Sequence, residues 1–432
     1  MSNLKYDVIV VGAGPAGLAA ATVLAKAGVK VVVVERGQFA GSKNVMGGVF
    51  YSDCMKGIID DFPGKAPVER HIIDQRVWLL DKDSFVGFNH KNELFNKKPY
   101  NCHTVFRAKF DSWFAKQAAD AGALIITRTL AKEAIIENNK IVGIKTGRPD
   151  GDIKADCVII ADGVNSLLAK SLGFRKEIKR ESVALAVKEV IGLDEKIINE
   201  RFNVKSGEGV TIEVTGNFFN GEAMAFIYTN KKSISLGVGM VVEDLVKNKI
   251  NPNDLMESFK AHPSVVPLID GGETKEYLAH LIPEGGYKDM PKLVGNGVMI
   301  AGDAAMMVDA IHREGSNLAV TSGKLAAETY LEAAKTGDFS EKSLSLYEKK
   351  KLKESFVIKD LKKYKGVPSL LQHNKRLLQQ YPKLINNAAY EILNVNGISK
   401  NDKEKLLWKN MKSQIGVSNL IKDLFKLWRN VG

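Results

Sequence analysis

Residues 6 to 17 read Tyr-Asp-Val-Ile-Val-Val-Gly-Ala-Gly-Pro-Ala-Gly, an apolar run that breaks into three closely spaced glycines. The β-branched residues from Val8 to Val11 favour a buried strand, and Gly12, Gly14 and Gly17 end it. Ala19 to Gly28 continue as a small-residue helix, and a second apolar run, Val31 to Val34, ends in Glu35. This is the βαβ unit that binds dinucleotides, with its acid at the expected place. Gly12 makes the tight turn, Gly14 admits a pyrophosphate close to the backbone, and Gly17 lets helix and strand pack. Pro15 and Ala16 open the helix whose unsatisfied N–H groups face the phosphates. Glu35, followed by Arg36, is placed to accept hydrogen bonds from ribose hydroxyls.

The chain has 432 residues, which suits two or three domains. Its three cysteines (Cys54, Cys102, Cys157) lie far apart and form no CxxC pair, which argues against an iron-sulfur cluster or zinc site built by this chain alone. Reduced, buried thiols are expected. No charged segment leads into an apolar core ahead of the first strand, and no apolar run approaches the roughly 18 residues of a membrane-spanning helix. A cytoplasmic location is expected.

Charge is unevenly placed. The net charge is +12, yet the first 340 residues hold 42 basic and 42 acidic side chains, while 341–432 hold 20 Lys/Arg against 8 Asp/Glu. Such a basic segment suits an anionic membrane surface or an acidic protein partner. No recognition motif for nucleic acid accompanies it, so nucleic acid is not an expected partner.

Four segments are expected along the chain: 1–180, the first part of a dinucleotide-binding domain; 181–290, an inserted antiparallel-sheet domain; 291–330, a return to the first domain; and 331–432, a basic helical region. The glycine-rich loop 40–52 is suited to fold over a bound cofactor. Arg107 opens a helix closed by Gly122, and Asn138-Asn139 turn a hairpin. Residues 243–261 read as one helix. Two later motifs follow buried strands: Asp162-Gly163 after Cys157–Ala161, and Gly302-Asp303 after Val298–Ala301. A carboxylate at such a strand end meets ligands of open α/β sheets and can accept hydrogen bonds from a polyol. Arg313-Glu314-Gly315-Ser316-Asn317-Leu318 reads as a loop entering a helix, whose free N–H groups offer positive potential to an anion.

This order of motifs resembles the glutathione-reductase-like flavoproteins of the p-hydroxybenzoate-hydroxylase branch. The resemblance implies an α/β fold: a Rossmann FAD-binding domain, an inserted antiparallel-sheet substrate domain and a helical C-terminal region. It also implies that Gly12, Gly14, Pro15, Ala16, Gly17, Glu35 and Arg36 hold the ADP half of FAD, that Arg107 and Asp162-Gly163 support the pyrophosphate, and that Gly302-Asp303 take the ribityl chain. Gly315, Ser316 and Asn317 would face the flavin ring, and Gly47, Gly48 and Ala131 complete the cofactor set.

Three finer stretches narrow the resemblance: Lys43–Gly48, Pro283–Leu293 and His312–Ala319 look like the FixC proteins, relatives of electron-transfer-flavoprotein:quinone oxidoreductase. The stand-alone oxidoreductases carry a cysteine-ligated cluster; FixC proteins do not, and neither does this chain. By resemblance, electrons would come from an electron-transfer flavoprotein pair of FixA/FixB type, pass a ferredoxin-like FixX-type subunit and reach membrane quinone within an electron-bifurcating complex. His312 and Tyr287 would relay protons. The last helix agrees with a membrane destination, because Val417, Leu420, Ile421, Leu424, Trp428 and Val431 share one face and Lys422, Lys426 and Arg429 the other. That helix would hold the chain peripherally on the inner face of the cell membrane. The alternatives are a geranylgeranyl-reductase-type prenyl reductase, an aromatic monooxygenase and a non-catalytic flavin scaffold. Prenyl reductases carry a PxxYxWxFP-like run, but Pro283–Pro291 here holds Tyr287 without the Trp or Phe.

Overall fold

Val8–Val11 and Val31–Val34 are buried on both faces, so neither strand alternates in polarity. A computed structural model describes residues 5–44, 48–219, 221–309 and 311–431. The chain folds as two units: Met1–Glu69, Asn101–Val183 and His280–Lys362 form one, and Arg70–Tyr100, Ala184–Ala279 and Lys363–Gly432 the other.

In the first unit, the sheet runs in the order Val294–Gly295, Val298–Ile300, Ile153–Ile160, Lys5–Val11, Val31–Val34, Leu124–Ile126. The last five strands are mutually parallel, in registers that set Val8 beside both Val31 and Cys157 and Val158 beside Val298. All three therefore end at one edge. The helices Pro15–Lys26 and Ser316–Ala334 pack on each other through small residues. A Cβ at Gly323 would lie 2.0 Å from the Ala16 carbonyl oxygen, so only glycine fits there. The Arg107–Asp120 helix buries Phe110 and Phe114 against Phe50, with the Phe50 and Phe110 rings 4.4 Å apart. The hairpin at Asn138-Asn139 forms as expected, both residues taking the left-handed backbone that its tight turn requires.

In the second unit, strands Val183–Gly192, Ser233–Val241, Gly221–Thr229 and Glu208–Phe219 pair antiparallel in that spatial order. Val68–Leu80 then pairs parallel to Glu208–Phe219 and antiparallel to Phe85–Lys91. Residues 70–100 thus fold with the inserted sheet rather than with the first segment. The sequence reading missed this because the parallel partner lies so far along the chain. Arg70 is fully buried and saturated by acceptors: Asn230 O at 2.7 Å, Asn199 Oδ1 at 2.6 Å and Glu208 O at 2.8 Å. The helix expected over 243–261 is two, Val242–Lys247 and Pro252–Lys260. Lys249 turns left-handed between them, and Pro252, which disfavours helix before it, starts the second beneath an Asn251 cap.

The same unit ends in Arg376–Leu393, Lys400–Gln414 and Val417–Val431. The last helix turns Asp423 inward and leaves Lys422, Lys426 and Arg429 exposed. Asp423, buried, accepts from Arg376 Nε and Nη2, both at 2.9 Å, Asn374 Nδ2 at 2.6 Å and Tyr381 Oη at 3.1 Å. The Arg376 bond holds its carboxyl below the usual range. Ile421, Leu424, Phe425 and Trp428 are left 56–70% exposed.

A helical glycine normally gains from replacement by alanine, so the sign of the change at Gly323 reports its packing. Gly323→Ala is expected to lower unfolding free energy by about 1–3 kcal/mol in denaturant titration, because the new methyl has nowhere to go. Gly122→Ala, in open space at a φ of +112°, should cost only the left-handed backbone, about 1 kcal/mol.

Candidate functional site

The carboxyl ends of Lys5–Val11, Ile153–Ile160 and Val298–Ile300 converge on Ala16. Gly12, at a φ of +102°, lies so near Ala161 that a Cβ would be 2.3 Å from its carbonyl oxygen. A Cβ at Gly302 would be 2.9 Å from Ala16 Cβ, and Ala16, Ala161, Ala301 and Ala319 form one buried cluster. A Cβ at Gly17 would be 2.0 Å from the Gly12 oxygen. These glycines are required by the protein's own packing. Gly14 is different: among the described residues, the near neighbour of a Cβ there is Asn44 Nδ2, at 4.0 Å. It borders open space at the start of Pro15–Lys26, a helix with no side-chain N-cap and no acid in its first turn. A glycine there leaves room for something other than protein, and the helix N-terminus favours an anion.

Glu35 stands at the next strand end. Its Oε2 accepts from Ala13 N–H at 2.9 Å and its Oε1 from Gly37 N–H at 2.6 Å, which fixes the carboxylate while lone pairs remain for a ribose. Arg36 is exposed beside it. Thr129 N–H donates to Glu35 O at 2.9 Å, bringing the buried Ala131 near the same edge. Gly47 lies outside the described residues. Gly48 is buried, and its carbonyl accepts from Val105 N–H at 2.8 Å.

Arg107 is buried and bidentate to Asp111, with both bonds at 2.8 Å, and Asp111 also accepts from Asn44 Nδ2 at 2.8 Å. It anchors the loop opposite Gly14. Burial pulls its guanidinium down, but the Asp111 and Asp303 charges more than offset that, leaving it above the usual arginine value. Asp162 accepts from Leu168 N–H at 3.2 Å through Oδ2, while its buried Oδ1 has no partner among the described residues. Gly163 turns at a φ of +78° with nothing within 4 Å of a Cβ.

Asp303 is half-buried and accepts no hydrogen bond among the described residues. Burial pushes its carboxyl up, and Arg107 and Arg175 pull it partly back. Gly315 caps Ser316–Ala334, again with no side-chain cap and no acid in the first turn. Ser316 and Asn317 are buried; Asn317 Nδ2 donates to Glu314 Oε2 at 2.6 Å, and Asn317 Oδ1 has no partner among the described residues. Two uncapped helix N-termini, two orphaned buried acceptors and the space at Gly14 suit an elongated polar anion with hydroxyls, which is the chemistry of a flavin dinucleotide.

The proposed proton carriers lie elsewhere in the same unit. Tyr287 is half-buried in the turn Gly286–Asp289, and His312 is exposed on a turn held by Asp309 Oδ1, which accepts its N–H at 3.2 Å. Two titratable groups escaped the sequence reading. Burial, with Arg107 and Arg36 nearby, pushes His280 down to about 4, so its imidazole is neutral at physiological pH. Burial also pushes Glu284 up to about 8. Glu284 stood inside the Pro283–Leu293 run without a role, and His280 gave no signal in the strand Glu273–Pro283. Burial pushes the three thiols up to about 12, leaving them unreactive. No group of side chains that could hold a metal ion occurs among the described residues.

Known proteins bear on the same segments. Residues 7–184 match the FAD dependent oxidoreductase family and 367–432 the ETF-QO/FixC family C-terminal domain. The chain is 48% identical to Protein FixC of Azotobacter vinelandii over 429 residues, 99% of each chain. It is 39% identical to the probable electron transfer flavoprotein-quinone oxidoreductase YdiS of Escherichia coli, again over 99% of each. Among solved structures, a geranylgeranyl bacteriochlorophyll reductase-like protein of Thermoplasma acidophilum superposes with a TM-score of 0.73 at 22% identity, covering 98% of this chain and 99% of that one. At that identity the likeness shows the shared flavoprotein fold.

Gly14→Ala is expected to leave the unfolding free energy of the apoprotein within about 0.5 kcal/mol of wild type while weakening FAD binding about tenfold or more in fluorescence titration. Equal losses of both would make Gly14 structural. Glu284 gives a pH signature. Its folded value exceeds its unfolded one, so the folded state binds the extra proton and stability falls as pH rises from about 4.5 to about 8. Glu284→Gln should therefore gain on wild type between about pH 5 and pH 8 in denaturant melts; a constant difference would refute the shift.

Proposed function

This chain belongs to the FixC family of FAD-dependent oxidoreductases, and from that premise we propose that it carries electrons from an electron-transfer flavoprotein, through a ferredoxin-like subunit of FixX type, to membrane quinone. The observation that carries this reading is similarity to FixC proteins over the whole chain, C-terminal domain included. The four segments of the sequence reading then have their tasks. Those at 1–180, less 70–100, and 291–330 hold the cofactor, 181–290 together with 70–100 shapes a substrate face, and 331–432 supplies a basic membrane-facing end.

FAD supplies a centre that exchanges electrons singly or in pairs, which joins one-electron donors to a two-electron acceptor. The residues of the chain bind and orient it. Gly14, Ala16 and Gly17 present backbone N–H groups to the pyrophosphate, Gly12 makes the turn that brings them to it, Pro15 presets the first helical turn, and Glu35, with Arg36 and Ala131, takes the adenosine end. Arg107 and Asp162-Gly163 frame the middle, with Gly47-Gly48 in the loop above. Gly302-Asp303 accept the ribityl hydroxyls, and the Gly315-Ser316-Asn317 terminus offers positive potential to the ring, favouring electron uptake. Reducing one quinone to quinol takes two electrons and two protons. Tyr287 and His312 are assigned to proton supply, and Glu284, which keeps its proton near neutrality, extends it.

Two features support a protein donor and a lipid-soluble acceptor. The only other glycine-rich stretch that invites a nicotinamide reading, Gly237-Val-Gly-Met, lies inside the strand Ser233–Val241. The exposed apolar face of Val417–Val431, flanked by Lys422, Lys426 and Arg429, suits the interface of an anionic bilayer. No helix among the described residues is long and apolar enough to cross a membrane; the attachment proposed is peripheral, on the cytoplasmic side. The prenyl-reductase alternative rests on shared fold and lacks the aromatic run in Pro283–Pro291.

The purified holoprotein should oxidise NADH at least about a hundredfold more slowly alone than with its flavoprotein and iron-sulfur partners. Rapid oxidation by the single chain, or saturation of a prenyl lipid, would end this reading. Ile421→Asn with Trp428→Ser should weaken binding to phosphatidylglycerol-containing vesicles about tenfold or more in co-sedimentation. Unchanged binding would remove the last helix from the membrane contact.

A further inference from the structure

One buried cation lies outside every motif identified in the sequence. Arg175 is 7% exposed and follows the short helix Leu167–Ser171, where Gly173 turns the chain back at a φ of +70°. Its Nη1 donates to Val164 O at 2.8 Å and to Ala304 O at 3.3 Å, and its Nη2 lies 2.6 Å from Met306 Sδ. Val164 follows Asp162-Gly163, and Ala304 follows Gly302-Asp303. A single guanidinium thus fastens together the two turns that carry Asp162 and Asp303. Met306 holds a left-handed φ of +60° in this arrangement, with its N–H on Asp303 O at 3.0 Å.

The chemistry of the partners is informative. A buried guanidinium ordinarily meets a carboxylate, yet the partners recorded for Arg175 are two carbonyls and a thioether. Its charge is therefore not cancelled at contact and acts at longer range on Asp162, Asp303, Asp289 and Glu177. Asp303 in turn feels only Arg107 and Arg175 as opposing charges. Hydrogen bonds set the spacing of the turns, and the charge favours ionised Asp162 and Asp303, the stronger acceptors.

We propose that Arg175 is a positioning residue for the cofactor, locking the Asp162-Gly163 turn to the Gly302-Asp303 turn and keeping both carboxylates ready to accept hydroxyl hydrogen bonds. This rests on the reading that those two turns flank FAD. Asp303→Ala tests that reading separately.

The experiment titrates apoprotein with FAD, following flavin fluorescence between about pH 6 and pH 8, for wild type, Arg175→Met, Arg175→Lys and Asp303→Ala. Arg175→Met is expected to bind about tenfold or more weakly, and to weaken further toward the acid end while wild type changes less. With Arg175 gone, only Arg107 remains to oppose proton uptake by Asp303. Arg175→Lys keeps the charge but cannot span three acceptors, so it should bind several-fold more weakly with the pH dependence of wild type. Circular dichroism checks the fold; should the Met variant not fold, the Lys variant decides alone. Wild-type affinity in Arg175→Lys, or a pH profile in Arg175→Met parallel to that of wild type, overturns the inference. Undiminished affinity in Asp303→Ala would overturn the placement of the turns instead.

Discussion

Backbone-to-backbone contact around Ala16 is the constraint on which the cofactor unit depends. Gly12 lies against Ala161, Gly17 against Gly12, and Gly302 and Gly323 against Ala16. Each contact removes the room for a side chain, so parallel strand ends far apart in sequence come within a few ångströms of one helix. The phosphate-facing helix terminus, the Asp162 turn and the Asp303 turn are thereby fixed relative to each other by sterics rather than by side-chain reach. Close packing of this kind resists deformation because atoms already in contact cannot approach further. Gly14 stands out against this background: among the described residues, a side chain there meets none of the backbone contacts that crowd Gly12 and Gly17.

What the sequence revealed follows the same division. Strand-forming Val8–Val11, the glycine spacing and Glu35 were legible because each is a local rule: β-branched residues, a forbidden Cβ, an acid at a strand end. The hairpin at Asn138-Asn139 and the helix from Arg107 to Asp120 were equally local. The placement of 70–100 was not, since it depends on parallel pairing with residues more than a hundred positions later. The break between Val242–Lys247 and Pro252–Lys260 was missed for another reason. Helical composition runs through 243–261, and Pro252 begins a separate helix within it. Of the candidate site, motif residues were recognisable, whereas His280, Glu284 and Arg175 were not. Their character comes from burial and from neighbours brought in by the fold, and no spacing in the chain encodes either.

The charges of the cofactor unit form a graded set. Arg107 is neutralised at contact by Asp111 and serves as an anchor. Arg175 meets no carboxylate at contact and keeps its field. His280 is held neutral by burial and by the two arginines near it, and Asp303 is pushed towards neutrality by burial alone. In the proposed site, a dianionic pyrophosphate would meet helix N-termini and buried guanidinium charge rather than a row of exposed lysines. Binding of that kind loses little to salt, because the donors are buried and fixed before the ligand arrives.

The C-terminal helix shows how one buried carboxylate can decide which way an amphipathic element faces. Left to the hydrophobic effect, Ile421, Leu424, Phe425 and Trp428 would turn towards the protein. Asp423, on the opposite side, instead accepts four hydrogen bonds, two of them from Arg376, and a charged network of that size outweighs a few partly buried apolar residues. The helix is thereby held with its apolar side outward. The exposed aromatic face is then a consequence of how the domain is built, and it follows that a bilayer need not rearrange the helix to receive it. Under the proposed membrane attachment, a preformed face avoids the ordering entropy that a disordered anchor must lose on binding.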